Sequence, residues 1–416
     1  MTNKAEQPNI FTLPSGMRIV HKAIKSTQLV HCGLFIKTGS RDETTVTSGS
    51  AHFIEHALFK GTEKRRPSQL FNRIESVGGE LNAYTTREIT SYYSSSLKRY
   101  VDRSFDLLSD MCFHSVLDPK ELDKERKVIY EEIEMYEDSP DDSIYDEFFE
   151  LLFKEQPLGY NILGSKKSLA GIGQKELKTF IKHQYQPKNM VFAVAGNVSL
   201  NRVEQLATKY LDFGRNGVPV LDRTKVVESP RFEIEVEKDF QQTHCIIGGR
   251  AYDRYNPKRF ALLIMNNILG GNNMGSRLNL SVREKHGFCY HISSSYQAFD
   301  DTGVFFVSFG CDQKNLKKTL SIIEKEFKLL KEKTLGPVQL NKAKRQLQGN
   351  MAMMSESPGL QMQSIAKSLL NYEHVVELKE VFDAIDAVTA EDIQQVANEV
   401  LDINNINRLA YLGDNS

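Results

Sequence analysis

Several features that would assign this chain to a specialised class of protein are missing from its sequence. Cysteine is scarce: Cys32, Cys112, Cys245, Cys289 and Cys311 are odd in number, scattered and never in C-x-x-C spacing. We therefore expect reduced, mostly buried thiols. No apolar run approaches the roughly 18 residues of a membrane span. The N-terminal residues lack the apolar core and cleavage site of a signal peptide. These absences predict a cytoplasmic protein.

The chain also lacks an excess of charge of either sign. Its 53 lysine and arginine residues almost balance its 54 aspartate and glutamate residues, which leaves a net charge of −1. Such a chain offers no electrostatic case for nucleic acid or an anionic membrane as a partner. With 416 residues, 40% of them hydrophobic and 26% charged, it is predicted to be a soluble globular protein of two domains.

Local patterns occur twice along the chain. A β-rich run at residues 28–38, QLVHCGLFIKT, is matched at residues 241–249 by QQTHCIIGG. The strand and turn of MVFAVAGN are matched near the end by INRLAYLGD. Strand-like runs alternate with long amphipathic helices in both halves. The sequence therefore predicts an α+β fold with two homologous domains, each a mixed, mostly antiparallel sheet packed against helices.

The boundary between the two halves is predicted from composition. Residues 214–231, GRNGVPVLDRTKVVESPR, carry glycine, proline and charge without a sustained apolar period, as is typical of a linker. We therefore expect a first domain over residues 1–213 and a second domain over residues 232–416.

One short stretch has the composition of a metal site. In SAHFIEHALFKGT, residues 50–62, His52 and His56 are spaced i and i+4 within a helix predicted over residues 47–60, so both rings face the same side. Glu55 stands one turn from His52. Zinc prefers imidazole and carboxylate ligands and lowers the pKa of a bound water to about 7, so that a neighbouring carboxylate can accept its proton. The alternative is an amphipathic helix whose polar face happens to hold two histidines.

The duplication favours the metal site over that alternative. The matching stretch of the second half, ALLIMNNILGGNN, contains no histidine. If the two histidines of the first half served packing alone, apolar residues and asparagine would not be expected in their place. The pattern therefore indicates a role for His52 and His56 that is confined to the first half.

A third protein ligand is predicted on a later helix. Asp118 and Pro119 form an N-cap and first-turn pair at the start of DPKELDKERKVIYEEIEMYEDSPDD. The apolar positions that mark its buried side are Val128, Ile129, Ile133 and Tyr136. Glu125 and Glu132 lie seven residues apart and so share a face beside those positions. Periodicity favours these two glutamates as the inward carboxylate and does not choose between them.

The whole chain resembles the inverzincin metallopeptidases of the pitrilysin (M16) family, in particular its short two-domain bacterial, processing-peptidase-like branch. The resemblance rests on HFIEHALFKGT, GGELNAYTTREITSYY, ERKVIYEEIEMYEDSPDD and LGGNNMGSRLNLSVREKHGFCY. In that family the third zinc ligand is a glutamate about 76 residues after the second histidine, the position of Glu132. A second glutamate, here Glu125, supports the site. The resemblance thus implies Glu132 as the third ligand, a choice that periodicity does not make.

The resemblance also implies functional residues outside the zinc motif. An arginine and a tyrosine of the metal-free domain, here Arg283 and Tyr290, close over the scissile bond in the family. A phenol can donate to an oxyanion and a guanidinium can hold substrate carbonyls; the alternatives are a surface ion pair and a sheet aromatic. Asn82 and Ala83 correspond to an edge strand that pairs with extended substrate near the metal.

These correspondences imply a zinc-dependent endopeptidase. In it His52, His56 and Glu132 bind Zn2+ and Glu55 is the general base. Peptides or unfolded segments would be its substrates, cleaved inside a clam-shell chamber. One chain contains both the zinc-binding set with Glu55 and the pair Arg283 and Tyr290, which favours a homodimer. The alternative is a non-catalytic or heterodimeric assembly subunit of a processing-peptidase-like complex.

Overall fold

The computed structural model of the chain describes residues 7–212, 223–271, 273–402 and 404–413. The strands, in chain order, are β1 (Asn9–Thr12), β2 (Arg18–Ala23), β3 (Leu29–Ile36), β4 (Glu80–Thr85), β5 (Thr90–Leu97), β6 (Met190–Gly196), β7 (Glu233–Glu237), β8 (Thr243–Ala251), β9 (Cys289–Ala298), β10 (Gly303–Cys311) and β11 (Asn407–Leu412). The helices are α1 (Ser50–Ala57), α2 (Pro67–Glu75), α3 (Val101–His114), α4 (Pro119–Asp138), α5 (Pro140–Leu152), α6 (Lys166–Ala170), α7 (Gln174–Gln184), α8 (Leu200–Leu211), α9 (Arg259–Gly270), α10 (Leu316–Glu332), α11 (Pro337–Ser355), α12 (Pro358–Tyr372), α13 (Leu378–Ala387) and α14 (Ala390–Val400).

The first sheet has the strand order β1-β2-β6-β3-β5-β4. Its β2 and β6 run parallel, and its other neighbouring strands run antiparallel. Every residue of β6, MVFAVAG, is buried. A strand that is covered on both faces needs no alternation of polar and apolar residues, which explains this continuous apolar run.

Among the residues that the structure describes, the second sheet repeats this arrangement without a counterpart of β1. Its order is β7-β11-β8-β10-β9, with β7 and β11 parallel and the other neighbours antiparallel. The two histidine-cysteine pairs noted in the sequence lie on the equivalent strands β3 and β8. The predicted α+β class with two similar sheets is thereby confirmed, and β4 and β9 take equivalent places as edge strands.

The chain forms two compact units whose composition departs from the order of the sequence. Where residues are described, the first unit comprises residues up to 133, 160–224 and 353–376, and the second unit comprises 134–159, 225–352 and 377 onward. Each unit therefore includes one segment from the other half of the chain, and the predicted boundaries at 213 and 232 stay a prediction. Half of the predicted linker, residues 214–222, lies outside the described residues.

Each exchanged segment supplies a helix that covers a sheet. In the second unit, α5 packs Phe148 and Phe149 into a core with Phe306. In the first unit, α12 packs Met362 and Ile365 into a core with strand residues of the first sheet. Both helices carry an apolar face whose burial removes apolar area from water. Periodicity predicts such a face, whereas it does not tell which sheet receives it.

Helix α4 begins where the sequence predicts it. Asp118 accepts a hydrogen bond from the backbone N–H of Lys120 at 2.8 Å, as an N-cap residue does. The buried positions of the helix are Leu122, Glu125, Ile129 and Ile133. The prediction that Val128 marks the buried side is wrong, since 44% of this residue is exposed. Val128 stands about 100° from Ile129 around the helix and so falls outside the buried stripe.

The five cysteines are free and buried, as predicted. Burial raises the pKa of Cys289 to about 11, which disfavours its reactive thiolate form. Among the described residues, no helix combines the length and the apolar character that crossing a bilayer requires.

Candidate metal centre

The candidate site is built on α1, which is shorter than predicted. It starts at Ser50 because Gly49 has a positive φ of 93°, a left-handed conformation that glycine adopts without steric cost. A Cβ on Gly49 would come within 2.7 Å of the Leu163 carbonyl oxygen. The helix ends at Ala57, and a 3-10 turn continues it to Lys60. One turn of α1 separates His52 from His56, and their ring centroids are 4.6 Å apart.

Helix α4 brings a carboxylate to the two imidazoles. Glu132 Oε2 lies 3.7 Å from His52 Nε2 and 3.5 Å from His56 Nε2. Zinc bonds of about 2.0–2.2 Å at tetrahedral angles separate neighbouring ligand atoms by roughly 3.4 Å. Within the described parts of the chain, these three residues form a group whose ligand atoms all lie within 4.8 Å of one another. The donor set and its spacing fit a zinc ion.

The other predicted glutamate contacts the opposite nitrogen of His56. Glu125 Oε2 lies 3.1 Å from His56 Nδ1, and Glu125 Oε1 lies 2.5 Å from Lys60 Nζ. Burial acts to raise the pKa of Glu125, but the hydrogen bonds with His56 and Lys60 outweigh it and hold the pKa below its ordinary value. Glu125 and Glu132 thus share one face of α4, as predicted, and contact different atoms of the same histidine.

Glu55, the predicted proton acceptor, lies on α1 together with the two histidines. Its Oε2 accepts a hydrogen bond of 2.5 Å from the Thr85 hydroxyl. Burial raises the pKa of Glu55 above its ordinary value, against the lowering effects of the Thr85 hydrogen bond and of His56. A carboxylate whose pKa is raised in this way is a better base for a proton near neutral pH.

The two histidines differ in their electrostatic surroundings. Burial, helped by the neighbouring His56, lowers the pKa of His52 to about 3. For His56, burial also acts to lower the pKa, but the hydrogen bond to Glu125 and the charge of Glu132 raise it above its ordinary value. His52 is therefore held in the neutral form that metal coordination requires. Its Nδ1 is buried and has no hydrogen-bond partner among the described residues.

The stretch GGELNAYTTREITSYY, which contains Asn82 and Ala83, forms a hairpin of two strands. Its β4 contains Asn82 and Ala83, a turn closes with the Thr86 N–H donating to the Ile89 carbonyl at 2.8 Å, and β5 follows. Strand β4 is an edge of the sheet, as the resemblance implied. Because Thr85 ends β4 and holds Glu55, this edge is joined directly to the helix that carries the two histidines.

Arg283 and Tyr290 lie near each other in the second unit. Tyr290 is on the edge strand β9 and is 85% exposed. Arg283 is in a π-helical segment, Asn279–Glu284, and its guanidinium carbon lies 6.0 Å from the centre of the Tyr290 ring. The Tyr290 ring therefore faces solvent, while its place on a strand is compatible with the alternative of an ordinary sheet aromatic. The role of both residues in closing over a substrate stays a prediction.

Three residues of the first unit were missed by reasoning from sequence. Thr85 holds Glu55 and Lys60 holds Glu125, as described above. Glu43 anchors the start of α1, because its carboxylate accepts from the backbone N–H groups of Gly49 at 2.8 Å and Ala51 at 2.7 Å. The i, i+4 spacing of His56 and Lys60 was a usable signal, whereas no local pattern identifies Glu43.

Comparison with known proteins relates this chain to a peptidase family. The family model described as Insulinase (Peptidase family M16) matches residues 18–166, which contain the whole candidate metal centre. The model described as Peptidase M16 inactive domain matches residues 171–347, which contain Arg283 and Tyr290.

Full-length relatives and solved structures agree with this match. The chain is 31% identical to the uncharacterized zinc protease YmxG of Bacillus subtilis, over 94% of this chain and 95% of the relative. It is 31% identical to the mitochondrial-processing peptidase subunit beta of Saccharomyces cerevisiae, over 93% of this chain and 87% of the relative. A protease from Helicobacter pylori has the same fold, with a TM-score of 0.89 at 22% identity over 98% of this chain and 99% of that one.

Proposed function

Because the chain belongs to peptidase family M16, we propose that it is a zinc-dependent endopeptidase that hydrolyses peptides or unfolded segments. The observation that carries this proposal is the convergence of His52, His56 and Glu132 within 4.8 Å, with Glu55 on the same helix as the two histidines. Relatives named zinc proteases support the choice of metal.

The residues of the site have separate tasks in this proposal. His52 and His56 through Nε2, and Glu132 through a carboxylate oxygen, would hold the zinc ion. When bound, the ion supplies Lewis-acid activation and lowers the pKa of a water molecule to about 7. Glu55 accepts a proton and later delivers it to the leaving amine. Thr85 fixes one oxygen of Glu55, so the other oxygen is the atom that we expect to carry this proton.

Supporting residues set the orientation of the ligands. Glu125 accepts the Nδ1 proton of His56, so that the Nε2 of this ring is unprotonated and free to bind metal. The family resemblance supports the remaining roles. Arg283 and Tyr290 would stabilise the transition state, and the β4 edge at Asn82 and Ala83 would pair with an extended substrate.

The finer features of the proposal rest on the same resemblance. We propose that the substrate is enclosed in a clam-shell chamber and that the enzyme is a homodimer located in the cytoplasm. The yeast relative is named as a subunit. Its name supports the competing proposal, in which this chain is a non-catalytic or heterodimeric assembly subunit. The complete set of ligands together with Glu55, Arg283 and Tyr290 in one chain favours a self-sufficient enzyme.

Metal analysis combined with a digestion assay tests the proposal. We expect about one zinc per chain, since the ligands belong to one site. Unstructured peptides should be cut in a reaction that a chelator stops and added zinc restores, while a folded thermostable protein in the same mixture stays intact. A zinc-free chain, or cleavage that persists in chelator, would overturn the zinc endopeptidase. Efficient chelator-sensitive cutting inside the folded protein would overturn the chamber alone.

A further inference from the structure

Lys60 is joined to the candidate metal centre through a single carboxylate. The side chain of Glu125 is 8% exposed, and each of its two oxygens has its own partner. Oε2 lies 3.1 Å from His56 Nδ1, and Oε1 lies 2.5 Å from Lys60 Nζ. A chain of contacts therefore runs from the lysine through the carboxylate to one of the residues that would bind zinc.

The local fold places Lys60 for this contact. It ends the 3-10 turn that continues α1 and is four residues from His56, so that both side chains lie on the side that faces Glu125 of α4. The lysine side chain is 28% exposed, so the ammonium group is partly withdrawn from water. Charge-assisted hydrogen bonds in such surroundings are stronger and more directional than those at an open surface.

The orientation of His56 depends on where the Glu125 carboxylate is held. A carboxylate that accepts from the far nitrogen of a ligating histidine sets the ring orientation and the tautomer of that histidine. Without Lys60, Oε1 of this buried carboxylate would lose its cationic partner, and the carboxylate could turn away from Nδ1. The contact with Lys60 favours the one orientation in which Oε2 faces His56.

We propose that Lys60 is a positioning residue of the metal centre, which acts on zinc affinity by holding Glu125 in the orientation that aligns His56. This inference rests on the proposed function, because it needs zinc to be bound by His56. The ordinary alternative is an ion pair that contributes to folding stability and leaves the metal unaffected.

The test compares zinc dissociation constants of purified full-length variants, measured by competition with a chromophoric chelator. Lys60→Met removes the ammonium group and keeps the apolar stem. We expect it to raise the zinc dissociation constant about tenfold or more, the range found when supporting groups of metal ligands are lost. Lys60→Arg, which keeps a cation, should recover most of the affinity. Lys60→Gln replaces the methionine variant if that variant fails to fold.

Lys124 offers a matched control on the same helix as Glu125. It pairs with Glu121 at 2.6 Å, but the lysine side chain is 69% exposed and the pair is remote in sequence from the histidines. Lys124→Met should leave the zinc dissociation constant within about twofold of the wild-type value, as expected for an exposed ion pair. Melting temperatures of the zinc-free variants show whether either substitution acts through folding instead.

A double-mutant cycle with Glu125→Gln decides whether the lysine acts through this glutamate. In the Glu125→Gln background, Lys60→Met should change the zinc dissociation constant by less than about twofold. Two results would overturn the positioning role while leaving the zinc site intact: an unchanged dissociation constant in Lys60→Met, or the same tenfold loss in the Glu125→Gln background. Wild-type protein that binds no zinc would overturn the proposed function and the role of Lys60 together.

Discussion

The helices α1 and α9 follow equivalent strands of the two sheets, yet they bury different chemistry. Helix α1 follows β3 and carries the partly or fully buried polar residues His52, Glu55 and His56. Helix α9 follows β8 and buries apolar residues, including Leu262 and Met265. The same position of the fold therefore accepts either an apolar core or a polar cluster.

The polar cluster of α1 requires hydrogen-bond and charge partners, whereas the buried apolar residues of α9 do not. The charged groups around α1 are paired: Glu43 with two backbone N–H groups, Glu125 with Lys60 and His56, and Glu55 with Thr85. A buried polar group without such partners costs about 1–3 kcal/mol. The first unit therefore commits several neighbouring side chains to maintaining this cluster, as expected where the cluster has a function.

The largest effect should come from removing the proton acceptor of α1. Glu55→Gln keeps the size of the side chain but cannot accept a proton in the same way, so we expect turnover to fall on the order of 10³-fold or more. Zinc content and melting temperature should stay close to the wild-type values. Peptide digestion and elemental analysis of the same preparation measure both.

Glu131→Gln is the matched control for this substitution. Glu131 is an exposed residue of α4, next to Glu132. Its replacement by glutamine should leave turnover near the wild-type rate. Peptidase activity near wild type in Glu55→Gln would remove this residue from the mechanism and weaken the contrast between α1 and α9.

The next effect separates the two glutamates of α4. Glu132→Gln should weaken zinc binding by more than about a hundredfold, because it removes a proposed ligand, as should His52→Ala. Glu125→Gln should weaken zinc binding by about ten- to a hundredfold, because it removes a supporting group. Competition with a chelator measures the zinc affinity of the two glutamine variants and ranks them. Full zinc occupancy in Glu132→Gln, with metal lost from Glu125→Gln, would show that the roles are reversed.

The distinction between these glutamates also shows how far the sequence could be interpreted. Spacing alone indicated that Glu125 and Glu132 share a face, because a seven-residue separation is close to two helical turns. Which oxygen approaches which nitrogen depends on how α4 docks against α1, and that is set by tertiary packing. Val128 shows the same limit, since an apolar residue at the margin of the stripe can be buried or exposed without disturbing the pattern.

Contacts between distant segments account for what the sequence could not predict. The strand order of both sheets agrees with the predicted duplication. That duplication could be predicted because the matching strands have similar local sequence patterns. The places of α5 and α12 do not follow from their sequences, because an amphipathic helix does not identify the sheet that it covers. Thr85 could likewise not be predicted as the partner of Glu55, because the two residues are 30 positions apart and lie on different elements, β4 and α1.

An intermediate effect concerns the edge strands. Strands β4 and β9 have equivalent places at the edges of the two sheets, and on β9 Tyr290 presents a hydroxyl donor on an 85% exposed side chain. If it donates to the oxyanion, Tyr290→Phe should lower kcat about 10²-fold with a much smaller change in KM. Steady-state kinetics on an unstructured peptide measure both constants. An unchanged kcat would return Tyr290 to an ordinary exposed strand residue.

The smallest expected effect concerns stability. It tests whether the buried polar residue His52 lowers the stability of the zinc-free protein. His52→Leu gives α1 a buried apolar residue of the kind that α9 contains. The pKa of His52 is about 3 in the folded chain, against an ordinary value of 6.5. Between these values the unfolded chain binds a proton at this residue and the folded chain does not, so the contribution of His52 to stability falls as the pH falls from 6.5 towards 3.

We therefore expect zinc-free His52→Leu to melt at a higher temperature than zinc-free wild type, with a larger difference at about pH 5 than at about pH 7.5. Loss of the unpartnered Nδ1 contributes at both pH values, whereas the protonation of the unfolded chain contributes only at the lower one. His374→Leu, at an exposed histidine of the same unit, controls for the loss of an imidazole as such. Thermal melts at the two pH values provide the measurement. An equal difference at both would mean that the fold does not hold His52 neutral, and no difference at either would mean that His52 in α1 is tolerated as easily as the apolar residues of α9.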